Sequence, residues 1–226
     1  MSGGRDQILG SIRAGLGRGR LDADTEATLN AQLSAHRRNL VPARAAALDH
    51  AGQIALFIDM AKEVDATVVR VSDNDAVPGA VADYLAHENL PSRLVMTPDP
   101  QLDPIPWNAR PLLEIRRGRA EDGDAVGVTA CFAAIAETGT LMLLSGPDSP
   151  TRNNFLPDTH VAVLRASQVV AAYEEGWDRL RAKGAMPRTV NFITGPSRTG
   201  DIEQRLVLGA HGPRRLHIVL IDDAGA

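Results

Sequence analysis

The chain has 226 residues, a net charge of −4 and a hydrophobic content of 44%, with aromatic residues at only 4%. That is enough apolar matter for one α/β domain built on Val, Leu, Ile and Ala, or for such a domain with a helical arm. It excludes a basic footprint for nucleic acid or an anionic membrane, and the single cysteine, Cys131, excludes a disulfide framework, an iron–sulfur cluster or a Cys-rich zinc site within the chain. No apolar run approaches the ~20 residues of a membrane span. The N-terminus, MSGGRDQILGSIRAGLGRGR, lacks the apolar core of a signal peptide, so a cytoplasmic protein is expected.

In chain order, Ile8, Leu9, Ile12 and Leu16 have helical spacing and predict a helix over residues 6–16. A second, polar helix is predicted over 24–38, and the run 39–44 with Pro42 reads as a linker. Residues 1–47 are thus an N-terminal helical arm and linker, and 48–226 an α/β domain. In that domain helices are predicted over 50–64, 76–89 and 173–183, the last stopped by Gly184. Strands are predicted at 66–71, 93–96, 112–116, 125–129, 140–144, 159–164 and 189–194, with 168–170 continuing the sixth of these and 216–221 closing the sheet. Residues 99–108, rich in Pro, read as irregular with Trp107 as a plug. Two further short helices are predicted, an Ala-rich one over 130–136 and one over 202–208. The alternation of helix and strand predicts βαβ units and an open, mostly parallel, Rossmann-like sheet with helices on both faces.

The segment ACFAAIAETGTLMLLSG at 130–146 is the centre of this pattern. It places one carboxylate, Glu137, at the entrance to a fully apolar strand, where burial is costly unless the group is paired. Glu137 is a candidate nucleophile or acid/base group; the plainer reading is a carboxylate held by backbone N–H groups of its turn or by an arginine. Thr138 and Thr140 can cap the turn or bond a ligand, and Gly139 permits a positive φ or a close backbone approach. Ser145 and Gly146 end the strand, where open α/β sheets bind ligands. Arg152 can hold a carboxylate or phosphate in its fork, or pair with Asp148 or Asp158. His160, at the start of a strand, reads as a structural histidine. The loop 195–201, GPSRTGD, stands between a strand and the helix predicted after it, so its backbone N–H groups form an anion site, with Ser197, Thr199 or Asp201 as cap and Arg198 beside them. It then forms one wall of a pocket whose floor is the Glu137 stretch. Asp201, Glu203, His211 and His217 match no zinc spacing, and Cys131 reads as a buried inert thiol.

ETGTLMLLSG at 137–146, RNNFLPDTHVAVL at 152–164, GPSRTGDIE at 195–203 and LVLGAHGPRRLHIVLID at 206–222 together resemble the LUD-domain family, in its lactate-utilisation protein C branch. The resemblance runs from about residue 48 to 222 and implies a fold similar to the ribose-phosphate isomerase, glucosamine-phosphate deaminase and CoA-transferase superfamily. It implies a non-cluster component of a bacterial L-lactate-to-pyruvate oxidation system, with iron–sulfur clusters on partner proteins and no cofactor in this chain. It would bind a small anionic ligand or those partner subunits, and oligomers are possible. The alternative is a stand-alone CoA-transferase-like or sugar-phosphate enzyme. In CoA transferases a Glu in a Glu-x-Gly turn is the nucleophile, and Glu137-Thr138-Gly139 is similar to that turn.

Overall fold

The structure is a computed structural model that describes residues 3–19, 21–38, 41–202 and 205–223, and the side chains of these outside 199–208. Residues 1–40 and 41–226 form two compact units. The first holds α1 (Gly3–Gly15) and α2 (Ala23–Ala35). Asp22 caps α2 by accepting from the Thr25 N–H at 2.8 Å. Neither helix buries a residue; Ile8 and Ile12 of α1 and Leu16 just after it stay exposed.

The second unit begins with α3 (Ala43–Ala46) and α4 (His50–Glu63), then β1 (Thr67–Val71), α5 (Val77–His87), β2 (Arg93–Met96), β3 (Glu114–Arg117) and β4 (Val126–Ala130). It continues through β5 (Ala133–Ile135), β6 (Thr140–Leu144), α6 (Arg152–Phe155), β7 (Thr159–Arg165), β8 (Val169–Val170) and α7 (Tyr173–Ala182). It ends with β9 (Val190–Ile193), β10 (Arg198–Ile202), β11 (Arg205–Leu208) and β12 (Arg215–Ile221). Ala45 in α3 is fully buried, so the packing of this unit starts before residue 48.

Six parallel strands form the main sheet in the order β1-β12-β7-β4-β2-β3. The Rossmann-like open sheet read from the sequence is therefore present. Alternate residues of its strands feed two cores. Val161, Val163, Val219 and Ile221 pack with Val77, Val81 and Leu85 of α5 on one face. Ala162, Leu164, Ile218 and Leu220 pack with Ile54 and Phe57 of α4 and with Leu141 and Leu143 of β6 on the other. Trp107 plugs the first core, and its indole N–H donates to the Leu102 carbonyl at 3.1 Å. The last strand does not close the sheet at an edge. β12 enters between β1 and β7, where LHIVLI, apolar except for His217, is buried along its whole length.

Two predicted helices are strands. Residues 130–136 contain β5, which pairs antiparallel with β6 and parallel with β8 in a second sheet of order β8-β5-β6-β9. A seven-residue helix has few bonds to offset its nucleation, whereas the extended chain gains a ladder on both sides, and small Ala residues fit a site with no exposure. Residues 168–170 accordingly leave the main sheet: a 3₁₀ turn at Ala166–Gln168 passes the chain to β8 in the second one. The segment after 195 is also no helix. β10 and β11 form an antiparallel hairpin with a register shift between Thr199 and Ile202, so the anion site expected at a helix N-terminus does not form. Among the described residues no helix is long and apolar enough to cross a membrane.

Candidate functional site

The predicted site residues fall in three places. The first is the turn between β5 and β6. Glu137 is 6% exposed, and its Oε2 has no hydrogen-bond partner among the described residues. Its backbone carbonyl accepts from Arg44 Nη2, so the arginine that reaches this turn serves the main chain rather than the carboxylate. Gly139 has φ +64°, and a Cβ there would lie 2.3 Å from the Ala61 nitrogen in α4. A close backbone approach to α4 is therefore what this glycine allows. The hydroxyls of Thr138, Thr140, Tyr173 and Thr194 join in one network. Thr140 Oγ1 lies 2.7 Å from Thr138 Oγ1, 2.7 Å from Thr194 Oγ1 and 3.0 Å from the Tyr173 hydroxyl.

The second place adjoins the first through Thr194. Ser197 and Arg198 line a cleft of about 260 Å³ with Phe155, Phe192 and His211. The Ser197 N–H donates to the Pro213 carbonyl at 2.8 Å, and Arg198 pairs with Asp65. The side chains of Thr199 and Asp201 lie outside the described ones. The Glu137 turn and the loop after β9 are thus neighbours, yet the shared feature is a set of bonded hydroxyls and a packed glycine pair. Gly195 repeats the role of Gly139: φ is +73° and its Cβ would lie 2.2 Å from the Val64 carbonyl oxygen.

The third place is the carboxyl edge of the main sheet. Ser145 and Gly146 line a cleft of about 730 Å³ beyond the ends of β2, β4 and β7, where open α/β sheets take their ligands. Its floor includes Ala130 and Phe132 at the end of β4. Asp99 and Gln101 follow β2, Ser167 and Gln168 follow β7, and Arg179 and Lys183 come one turn apart from α7 and its C-terminal end. Asp148 and Ser149 join them from the loop after β6. Gln168 Nε2 donates to Gln101 Oε1 and to the Cys131 carbonyl, both at 2.8 Å, which ties the three strand ends together. The Ser145 hydroxyl accepts the Thr189 N–H at 2.8 Å, just ahead of β9.

Glu137 is at the opposite end of β6 from this cleft. Five strand residues at ~3.3 Å each put it roughly 16 Å away. Arg152 is outside as well: it pairs with Asp122 at 2.5 Å, not with Asp148 or Asp158. The sequence reading missed Asp99, Gln101, Gln168, Arg179 and Lys183. The carboxyl-end rule applied to strand 93–96 would have found Asp99, and the i, i+4 spacing of Arg179 and Lys183 was visible on the predicted helix.

Buried groups outside the cleft serve the fold. His160 is fully buried with Nε2 2.7 Å from Thr129 Oγ1, and burial pushes its pKa down to about 4. His217 is stacked on Tyr84 at 3.7 Å between ring centres, with Nδ1 2.8 Å from Thr67 Oγ1; burial lowers it to about 4 too. Both are neutral at pH 7. The Cys131 thiol is raised well above its ordinary value, by burial first and by the nearby Asp99 charge second, so it is an inert thiol as read from the sequence.

The LUD domain model matches residues 117–221, from the end of β3 through β12. The lactate utilization protein C of Deinococcus radiodurans is 32% identical over 206 residues, spanning 86% of this chain and 92% of that one. The chain belongs to this LUD-domain family. The Bacillus subtilis protein of the same name is 37% identical over 102 residues, a match confined to 43% of this chain and 42% of that one. A crystal structure of a DUF162 family protein from Deinococcus radiodurans, 28% identical, aligns with a TM-score of 0.58 over 77% of this chain and 99% of that one. The family match includes the cleft from Ala130 to Lys183, while Asp99 and Gln101 lie before it.

Proposed function

We propose that this chain serves lactate utilisation as a component without a cluster of its own, binding a small anionic ligand in the carboxyl-edge cleft and working beside cluster-bearing partner subunits. The names of its relatives support the role in lactate utilisation. The observation that carries the ligand reading is the pair Arg179 and Lys183, facing the cleft together at the carboxyl ends of parallel strands. Arg179 offers a planar fork for carboxylate or phosphate oxygens, and Lys183 a point charge beside it. In a host that has no second lactate route, deleting the gene abolishes growth on L-lactate. The intact gene restores it, and a copy with Arg179→Gln and Lys183→Gln does not. Undiminished growth of the deletion strain would sink the lactate role; full rescue by the double variant would sink the cleft as its site.

A second reading, an enzyme using Glu137 as carboxylate nucleophile, rests on the unpartnered Oε2 of a buried side chain. Intact mass after incubation with acyl-CoAs tests it: a covalent adduct lost in Glu137→Gln supports it, and an unmodified chain across the panel removes it.

A further inference from the structure

β9 is an edge strand of the second sheet, bonded to β6 on one side only. Just ahead of it, the Ser145 N–H donates to the Thr189 carbonyl at 3.0 Å, and the Thr189 N–H donates back to Ser145 Oγ at 2.8 Å. Thr189 thus turns its main-chain groups toward β6. Alternation along the strand turns those of Asn191 and Ile193 the same way, and those of Val190 and Phe192 outward. Among the described residues the outward groups have no backbone partner. The side chains of Phe192 and Ile193 point to opposite faces, yet both line the cleft of about 260 Å³, so that cleft runs beside the free edge. Edge strands are ordinarily guarded by charge, proline or a bulge. Residues 189–194, TVNFIT, have none of these.

We infer that β9 pairs antiparallel with β9 of a second copy of this chain, about a two-fold axis at Asn191, joining the two four-stranded sheets into one. Two features select a second copy over another protein, because each is complementary to itself. The first is Asn191. Its Nδ2 is buried and has no hydrogen-bond partner among the described residues. With the axis there, the two Asn191 residues form a non-hydrogen-bonded pair, the kind whose side chains lie closest. Each amide N–H then donates to the amide oxygen of the other. The same register sets Val190 opposite Phe192 of the copy, and these outward-facing residues exchange main-chain bonds on both sides of the axis. The second feature is charge. Arg188, ahead of β9, is exposed and has no carboxylate partner among the described residues. Beyond the other end of β9, Gly195 packs on the Val64 carbonyl. Asp65 follows Val64, and its side chain is 71% exposed even though it pairs with Arg198. The axis sets Arg188 opposite Thr194 of the copy, one residue from the Gly195 that this acidic corner packs on, and repeats the contact symmetrically.

Sedimentation velocity of the full chain over a range of concentrations tests this. The wild type passes from monomer to dimer as its concentration rises. Val190→Pro removes an N–H that β6 does not use, so it blocks the edge, keeps the ladder to β6 and leaves the chain monomeric. Cooperative urea unfolding checks that this variant folds. Arg188→Glu and Asp65→Lys each weaken the dimer about fivefold, since each contact occurs twice across the axis. The double variant restores the dimer to within about twofold, which a loss of stability from either substitution would not do. A wild type that stays monomeric at every concentration overturns the inference and leaves the edge to a strand from another protein. A dimer that Val190→Pro leaves intact, or that the double charge swap fails to restore, overturns it too.

Discussion

Gly139 holds φ at +64° with the α4 backbone 2.3 Å from where a Cβ would be. Gly139→Ala therefore adds a left-handed strain to a clash with backbone that has nowhere to move. We expect a loss of about 3 kcal/mol, read in urea unfolding, with a fall in Tm of roughly 6–12 °C for a chain of this size. Two residues earlier, Glu137 lies roughly 16 Å from the carboxyl-edge cleft. Glu137→Gln is expected to leave anion affinity there within about twofold by calorimetry; a tenfold loss would mean that the turn and the cleft act as one site. His160 and His217 set the pH response. Each has a folded pKa of about 4 against an ordinary value of 6.5, so the unfolded chain binds more protons between these values. Stability is fully present above pH ~6.5 and is lost as pH falls toward 4, by on the order of a few kcal/mol in all. Denaturant titrations at pH 7, 5.5 and 4 measure it, and His160→Gln is expected to flatten the slope between them.

At the scale of elements, α7 joins the fold to the cleft. Leu180 is fully buried against Ala133 and Met142 of the second sheet, while Arg179 and Lys183 on either side of it in sequence line the cleft. Leu180→Ala is expected to cost about 3 kcal/mol of stability and to weaken anion binding severalfold under conditions where the chain stays folded, since both cations lose their seat. Unfolding curves and calorimetry on the same preparation separate the two effects. Most elements were legible in the sequence because their periodicity and punctuation agree: strand 140–144 is apolar after Thr140, and Gly184 follows directly on helix 173–183. β5 and the β10–β11 hairpin were not, because short Ala- or Leu-containing runs satisfy either period and only an available pairing partner decides between them.

For the whole molecule, the buried hydrophobic side chains among the described residues all lie from Ala45 onward, within the unit 41–226. A chain starting at residue 41 is expected to unfold cooperatively with a Tm within a few degrees of the full chain, and to keep its anion binding. A molten, non-cooperative product in calorimetric scans would show that the first 40 residues are required for the core.

The sequence by itself determined the class of the fold, the family, the buried thiol and the absence of cluster ligands, since these follow from composition, local periodicity and ordered motifs. It also pointed to Ser145 and Gly146 through a rule about strand ends. What only the tertiary structure decided is which strand ends lie side by side. Gln101 and Gln168 are 67 positions apart in the chain, and it is the strand order β7-β4-β2 that brings the loops after β2 and β7 within a hydrogen bond of each other at one cleft. Strand order depends on contacts between segments distant in sequence, and no local period encodes it.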